Sequence, residues 1–285
     1  IDGTTDDSFA ANGSRPAIVI DGNNLNAKGL DLNVGSSGST IRGLVIQHFG
    51  DAVIYINNST GHTIAGNYLG NIDANGNETA AATVPYIVVI ASGTHIIGGS
   101  AAADRNVIGG GQYNVLIISS TNNQVIGNYI GLNASGNAAF SASQVGIFVN
   151  GFASGALVAN NVIVATSGEA IHASANATIR DNLIGVRPDG SGPLGSAVTG
   201  INVTNGNGHI ITGNWIAASG DGLIVAAAVT NAVIQGNRIG TDMAGTANWG
   251  MQYNGIAVQG SNNLIGGTGA GQGNIIAFSN QAAGS

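Results

Sequence analysis

Cysteine is absent from the 285 residues, which excludes disulfides and thiolate metal sites. Charge is nearly as scarce: Asp, Glu, Lys and Arg together make 7% of the chain, where soluble domains usually carry about a quarter. Seven Lys and Arg against fourteen Asp and Glu leave a net charge of -7. That balance repels phosphate backbones and no basic cluster offsets it, so nucleic acid is not an expected partner. No apolar run approaches the roughly 18 residues needed to cross a bilayer, and no membrane span is expected. Proline occurs only four times. No segment sustains a helical period, and glycine, at 47, is too frequent for helices.

What the chain does have is a repeat. G-N-Y-I-G around Asn128 returns as G-N-Y-L-G at Asn67, R-N-V-I-G at Asn106, N-N-V-I at Asn161, D-N-L-I-G at Asn182, G-N-W-I at Asn214, G-N-R-I-G at Asn237 and G-N-I-I at Asn274. Successive asparagines lie 39, 22, 33, 21, 32, 23 and 37 residues apart, so long and short steps alternate. The mean unit of about 28 residues falls in the range that signals solenoids. The apolar positions are periodic, and glycine in such a pattern marks tight turns of an ordered repeat rather than disorder.

Each unit carries short β-branched strands. One set reads Ile54-Tyr55-Ile56, Ile87-Val88-Val89, Val115-Leu116-Ile117, Ile147-Phe148-Val149, Ile171-His172-Ala173, Ile201-Asn202-Val203, Leu223-Ile224-Val225 and Ile256-Ala257-Val258. Period two predicts the outer residues of each triplet inward and the middle one outward. A second set runs from Thr63-Ile64 to Leu264-Ile265 and leads into the asparagine signature. Units this small, with no helix for a crossover, bury an apolar face only by coiling on one another. The expected fold is all-β: a single right-handed parallel β-helix of about ten coils, some 50 Å long at the usual strand spacing. Residues 1–17 are expected to form an irregular lead-in or first partial coil, with no capping helix legible at Ile1, and residues 18–285 the β-helix.

Two units insert residues before the asparagine, as I-I-G-G-S-A-A-A-D-R-N-V-I from Ile96 and L-I-G-G-T-G-A-G-Q-G-N-I-I from Leu264. The pattern resembles the right-handed parallel β-helix repeats of the pectate-lyase-like superfamily. More narrowly, it is similar to the I-G-G-T and G-N-Y-I-G-T-D repeats of long secreted or surface-attached bacterial proteins. The resemblance covers about residues 18 to 280 and implies an extracellular or cell-surface setting. It is specific for the fold and much less so for an activity. The N-T-D and G-H-G strings of polygalacturonases and the D-P-H-E string of alginate epimerases are absent.

The eight asparagines are expected to stack at one turn as a ladder, their amides bonding above and below. The residue after each should face outward: Tyr68, Val107, Tyr129, Val162, Leu183, Trp215, Arg238, Ile275. Aromatic faces there could bind sugar, through Tyr129, Trp215 and Trp249. The competing expectation is that the long loops after alternate signatures, which contain Phe140, Leu194, Trp249 and Met251, fold back over that row.

For catalysis, Glu169 and Asp221 occupy equivalent places two units apart, a carboxyl spacing near the upper limit of inverting glycosidases, and His172 on the same strand as Glu169 could transfer protons. The blander reading is an acidic turn residue beside glycine. Cofactors are not expected; calcium has one weak opening, at Asp73, Asn75 and Asn77. His48, His62, His95 and His209 fall singly and are expected at the surface. A chain that opens on Ile1 and stops inside a unit, at A-F-S-N-Q-A-A-G-S, is expected to be part of a longer array or to stack end to end on its own copies. The reading that follows is a non-catalytic structural or adhesive module, with fibre formation as an option. The alternative is a polysaccharide lyase, glycosidase or polysaccharide-binding β-helix.

Overall fold

Short β-branched segments bury their apolar side chains only if each finds a partner strand above and below, and here every coil supplies three. The structure is a computed structural model that describes residues 1–79, 84–141, 143–164, 166–195, 197–217 and 219–279. Among these, three all-parallel sheets of ten, nine and nine strands run the length of a right-handed β-helix. The triplets form one sheet, from Leu30–Leu32 to Ile256–Val258. The middle sheet runs from Thr40–Arg42 to Leu264–Ile265, and the signature sheet from Ile18–Leu25 to Ile275–Ile276. The last run-up, residues 277–285, lies partly outside the described residues, as does the end of the insertion after Asn71.

Seven of the eight expected triplets pair in one register, with Ile54, Val115, Ile147, Ile171, Ile201, Leu223 and Ile256 in a single column. The exception is a correction. Val88, not Ile87, stands in that column, because the strand Val84–Ile90 pairs Val88 with Ile54 and Ile90 with Ile56. Ile87 is buried as well, so its apolar character could not reveal the slip.

The interior is a stack of columns. Ile64, Ile97, Val125, Val158, Ile179, Ile211 and Ile234 come from the middle sheet and Leu69, Ile108, Ile130, Ile163, Ile184, Ile216 and Ile239 from the signature sheet, each at most 1% exposed. Full burial of one such side chain contributes about 1.5 to 3 kcal/mol.

At the corner between these two sheets stands the asparagine ladder. Each Nδ2 donates to the next Oδ1, from Asn67 to Asn106 at 3.1 Å, then 2.9, 3.1, 3.0, 2.9, 3.0 and, from Asn237 to Asn274, 3.0 Å. The same amide also donates to a carbonyl of the middle sheet, as Asn161 does to Val125 at 2.8 Å. Each Oδ1 accepts a backbone N–H of the preceding coil, as Asn161 does from Asn128 at 3.0 Å. From Asn67 to Asn237 both amide hydrogens and the oxygen are used where the backbone ladder turns away. The residue before the asparagine takes a left-handed conformation at Gly66, Gly127, Asn160, Asp181, Gly213 and Gly236. That requirement explains why Gly, Asn or Asp stands there.

A second polar column fills the corner between the triplet and middle sheets and corrects the expectation for three histidines. Strand register aligns Ser39, His62, His95, Asn123, Ala156, Ala177, His209, Ala232 and Asn263, each just before its middle strand or, for Ala156 and Ala177, at its first residue. His62, His95 and His209 are buried, not at the surface. Their Nδ1 atoms accept backbone N–H groups from the coil before, of Ser39 at 3.2 Å, His62 at 3.2 Å and Ala177 at 3.3 Å. The Asn123 and Asn263 amide oxygens do the same for His95 and Ala232, each at 2.8 Å. An Nδ1 that accepts carries no proton, so these imidazoles are neutral with the hydrogen on Nε2. That hydrogen goes from His95 to the Ser92 carbonyl at 2.7 Å and from His209 to the Asn205 carbonyl at 2.9 Å. Burial holds all three below the ordinary histidine value.

The lead-in also departs from expectation. Gly3–Thr5 is a turn of 3-10 helix and Asp7–Ala11 a five-residue α-helix, each opened by an aspartate cap, Asp2 and Asp6. Asp2 bridges Arg42 in parallel, adding a rung below the middle sheet.

Candidate functional site

The signature sheet does not present an open aromatic row. The insertions after alternate signatures are hairpins, closed by the antiparallel bridges Ile72 to Glu78, Leu132 to Ala139, Val186 to Pro193 and Thr241 to Asn248. They fold back over the sheet. Under the first two lies a second apolar core of Tyr68, Ile72, Val107, Tyr129, Leu132, Phe140, Val162 and Val164. Under the later two, Val186, Ala217 and Trp249 pack with Leu183 and Trp215. Tyr129 and Trp249 are each 8% exposed. Trp215 is half-buried, stacks on Trp249 at 4.9 Å between ring centres and donates Nε1–H to the Thr241 carbonyl at 2.6 Å. Arg105 lies over the Tyr129 ring at 4.1 Å. The three aromatics singled out for sugar binding are thus occupied in holding loops down.

Asp73, Asn75 and Asn77 sit at the tip of the first hairpin. The Asp73 carboxylate accepts the backbone N–H groups of Asn75 and Asn77, both at 2.9 Å. Asn133 and Asp242 cap their own hairpins in the same way. Among the described residues no three His, Asp or Glu side chains gather where a metal could sit.

The outward face of the triplet sheet is different. Tyr86, Tyr113 and Phe148 stack coil on coil, 5.8 and 6.0 Å between ring centres, and Phe148 meets the edge of His172 at 4.5 Å. His172 Nδ1 makes a short contact with Glu169 Oε2. Asn202 Nδ2 donates to Glu169 Oε1 at 2.6 Å, and Thr204 Oγ1 lies 3.2 Å from His172 Nε2. All four are half-buried. An ionised carboxylate only accepts, so Nδ1 carries a hydrogen, and in the neutral ring Nε2 then presents its lone pair to the Thr204 hydroxyl. Burial pushes the Glu169 carboxyl up, but hydrogen bonds from His172 and Asn202 outweigh it and hold the group below its usual range.

The expected pairing of Glu169 with Asp221 is met in register: Glu169 stands beside Thr199, and Thr199 beside Asp221, on successive strands. Asp221 itself accepts from Asn254, through the backbone N–H at 3.1 Å and the side-chain amide at 2.9 Å. Two residues toward the N-terminal end of these strands runs a groove of about 1030 Å³, lined by Ser167, Val198, Gly220, Trp249, Met251 and Tyr253. Tyr253 is 53% exposed.

Sequence reasoning missed Asn202 and Thr204. The signal was available: Asn202 is the middle residue of the triplet above His172, and Thr204 lies two further along. Tyr253 was missed too, although it precedes Ile256 as Gly220 precedes Leu223, and its backbone N–H bonds to the Gly220 carbonyl at 2.8 Å.

No protein-family model matches the chain, and no curated protein matches it. Among solved structures, the crystal structure of the Dettilon tailspike protein (gp208) is similar, with a TM-score of 0.44 and 15% identity over 94% of this chain and 62% of that one. The chain thus spans less than two thirds of that protein's length.

Proposed function

We propose that the chain is a structural and adhesive β-helical module of a secreted or cell-surface protein, and that it binds polysaccharide along the open outer face of its triplet sheet. The observation that supports this most is the groove of about 1030 Å³ with exposed Tyr253 at its rim. It runs beside the part-exposed carboxylates of Glu169 and Asp221, which flank buried Thr199 in register. An extended polar track next to an aromatic ring suits a glycan chain better than a compact ligand. The I-G-G-S and I-G-G-T insertions at Ile97 and Ile265 support the narrower kinship with repeats of long bacterial surface proteins, and with it an extracellular setting and further repeats or self-stacking as partners.

Affinity electrophoresis against a panel of neutral and acidic polysaccharides tests the reading. Retardation by at least one glycan, weakened in Tyr253→Ala and Asp221→Asn, is expected; no retardation by any would overturn it.

A second reading, a polysaccharide lyase or glycosidase, is favoured by one specific observation, the contact of Glu169 with His172. New reducing or unsaturated ends released from the same panel, and lost in Glu169→Gln, would replace the adhesive reading with the enzymatic one.

A further inference from the structure

The open flank extends the Glu169–His172 contact into an arrangement that calls for a different chemistry. Thr204, His172 and Glu169 form a relay of hydroxyl, imidazole and carboxylate. Thr204 Oγ1 lies 3.2 Å from Nε2, and Nδ1 is in short contact with Oε2. The relay is held from three sides. Asn202 fixes the other carboxylate oxygen at 2.6 Å, Phe148 packs edge to face against the imidazole at 4.5 Å, and strand pairing sets His172 beside Asn202. A hydroxyl within reach of a base that a third group orients is the signature of an activated nucleophile.

Two further observations fall at the same place. The register between the strands Ala197–Asn207 and Ser219–Thr230 shifts there. Val203 faces Val225 while Asn205 faces Ala228, so Thr204 stands opposite two residues, Ala226 and Ala227. Such a bulge re-aims a side chain and is common beside active sites. Both residues opposite Thr204, and Ala228 after them, are alanines, so no large side chain stands across the strand from it. Moreover, Asn202 Oδ1 is buried with no hydrogen-bond partner among the described residues, an orphaned acceptor of the kind that calls for a functional explanation.

We propose that Thr204 is the nucleophile of an acyl-ester hydrolase, with His172 as general base and acid and Glu169 as the positioning residue. The substrate class is an ester of a small acyl group, such as the acetyl of an O-acetylated glycan. Thr204 Oγ attacks the ester carbonyl carbon and its proton passes to His172 Nε2. The C–O bond to the alcohol breaks as His172 returns that proton to the departing oxygen, leaving acyl-Thr204. Water then attacks the same carbon and gives its proton to His172, Thr204 is expelled and reprotonated, and the carboxylic acid leaves. Glu169 stays ionised throughout and stabilises the imidazolium.

An aryl acetate and a fluorophosphonate probe test this without any polysaccharide, so failure here and failure of the glycan-binding reading are separate results. The expected result is covalent probe on the peptide carrying Thr204, located by mass spectrometry, together with aryl acetate hydrolysis. Thr204→Ser should keep both, and Thr204→Val, equally suited to a strand, should abolish both. His172→Gln should slow both by about 10²-fold or more. Glu169→Gln should lower kcat by a similar factor with KM unchanged, because a glutamine amide that donates to Nδ1 forces the hydrogen onto Nε2. Absence of probe from Thr204 in the parent chain, or equal labelling in parent and His172→Gln, would overturn the proposal.

Discussion

Two outer faces of the same helix have been put to opposite uses. The signature sheet presents a row of large apolar residues, and four hairpins fold over it to make a second core around Tyr129 and a third around Trp249. The triplet sheet presents Tyr86, Tyr113, Phe148, His172, Asn202 and Thr204 outward with no such cover among the described residues, and its polar side chains bond to one another. Both faces grow from the same three-strand coil. The difference lies in where insertions leave the coil and what the outward residue is. An outward aromatic is therefore a poor guide to binding in a solenoid unless the loops that flank it have somewhere else to go.

Stripping the cover from one face should have the largest effect. Trp249→Ala removes the ring that stacks on Trp215 and is expected to cost about 3 kcal/mol, the lower end for losing a buried tryptophan. Urea unfolding measures it, and a rise in binding of a hydrophobic dye should accompany it as Trp215 is uncovered. Next comes the corner that the covered face adjoins. Asn161→Ala deprives the backbone N–H and the side-chain amide of Asn128 of their common acceptor, Asn161 Oδ1. A loss of about 1 to 3 kcal/mol is expected from the same titration. An unchanged midpoint would mean that the ladder is ornamental.

A smaller, pH-dependent effect belongs to the opposite corner, behind the open face. His62, His95 and His209 are neutral in the folded chain and held below their usual value by burial. The unfolded chain binds protons at these sites first. Stability is therefore level above about pH 6.5 and falls as the pH drops below it, until the folded-state values are reached. Urea midpoints across that window give the slope. His209→Asn, which places there the residue that Asn123 and Asn263 supply in the same column, should shrink it. A slope unaffected by that substitution would assign the dependence to other groups.

How much of this was legible follows from how each feature repeats. The asparagine ladder was readable because Asn occupies all eight rungs from Asn67 to Asn274 and because a left-handed Gly, Asn or Asp precedes it in most coils. The second polar column was not, because Ala156, Ala177 and Ala232 interrupt it and Ser, His and Asn share the rest. A column is visible in a sequence only when one residue type suits every rung. Here Nδ1 of histidine and Oδ1 of asparagine serve equally as acceptors for the N–H of the coil before. Glu169 and Asp221 were aligned correctly by counting from the triplets. The slip at Ile87 came from a run of apolar residues, Ile87 to Ile90, in which counting has nothing to hold. The groove escaped, since the hairpin closed by Thr241 and Asn248 separates Met251 and Tyr253 from the signature, and only their distance from Ile256 gives their neighbours Ser219 and Gly220.

The most direct test of the contrast between the faces is the urea midpoint of His172→Gln beside that of Trp249→Ala. Stability resides in the inner columns and the covered face, so replacing this half-buried histidine by a glutamine that can still donate to Glu169 should cost no more than about 1 kcal/mol of unfolding free energy at pH 7.5, the scale of one hydrogen bond. A loss comparable with that of Trp249→Ala would show that the open face is held together by its polar cluster, and would contradict its assignment as the working surface.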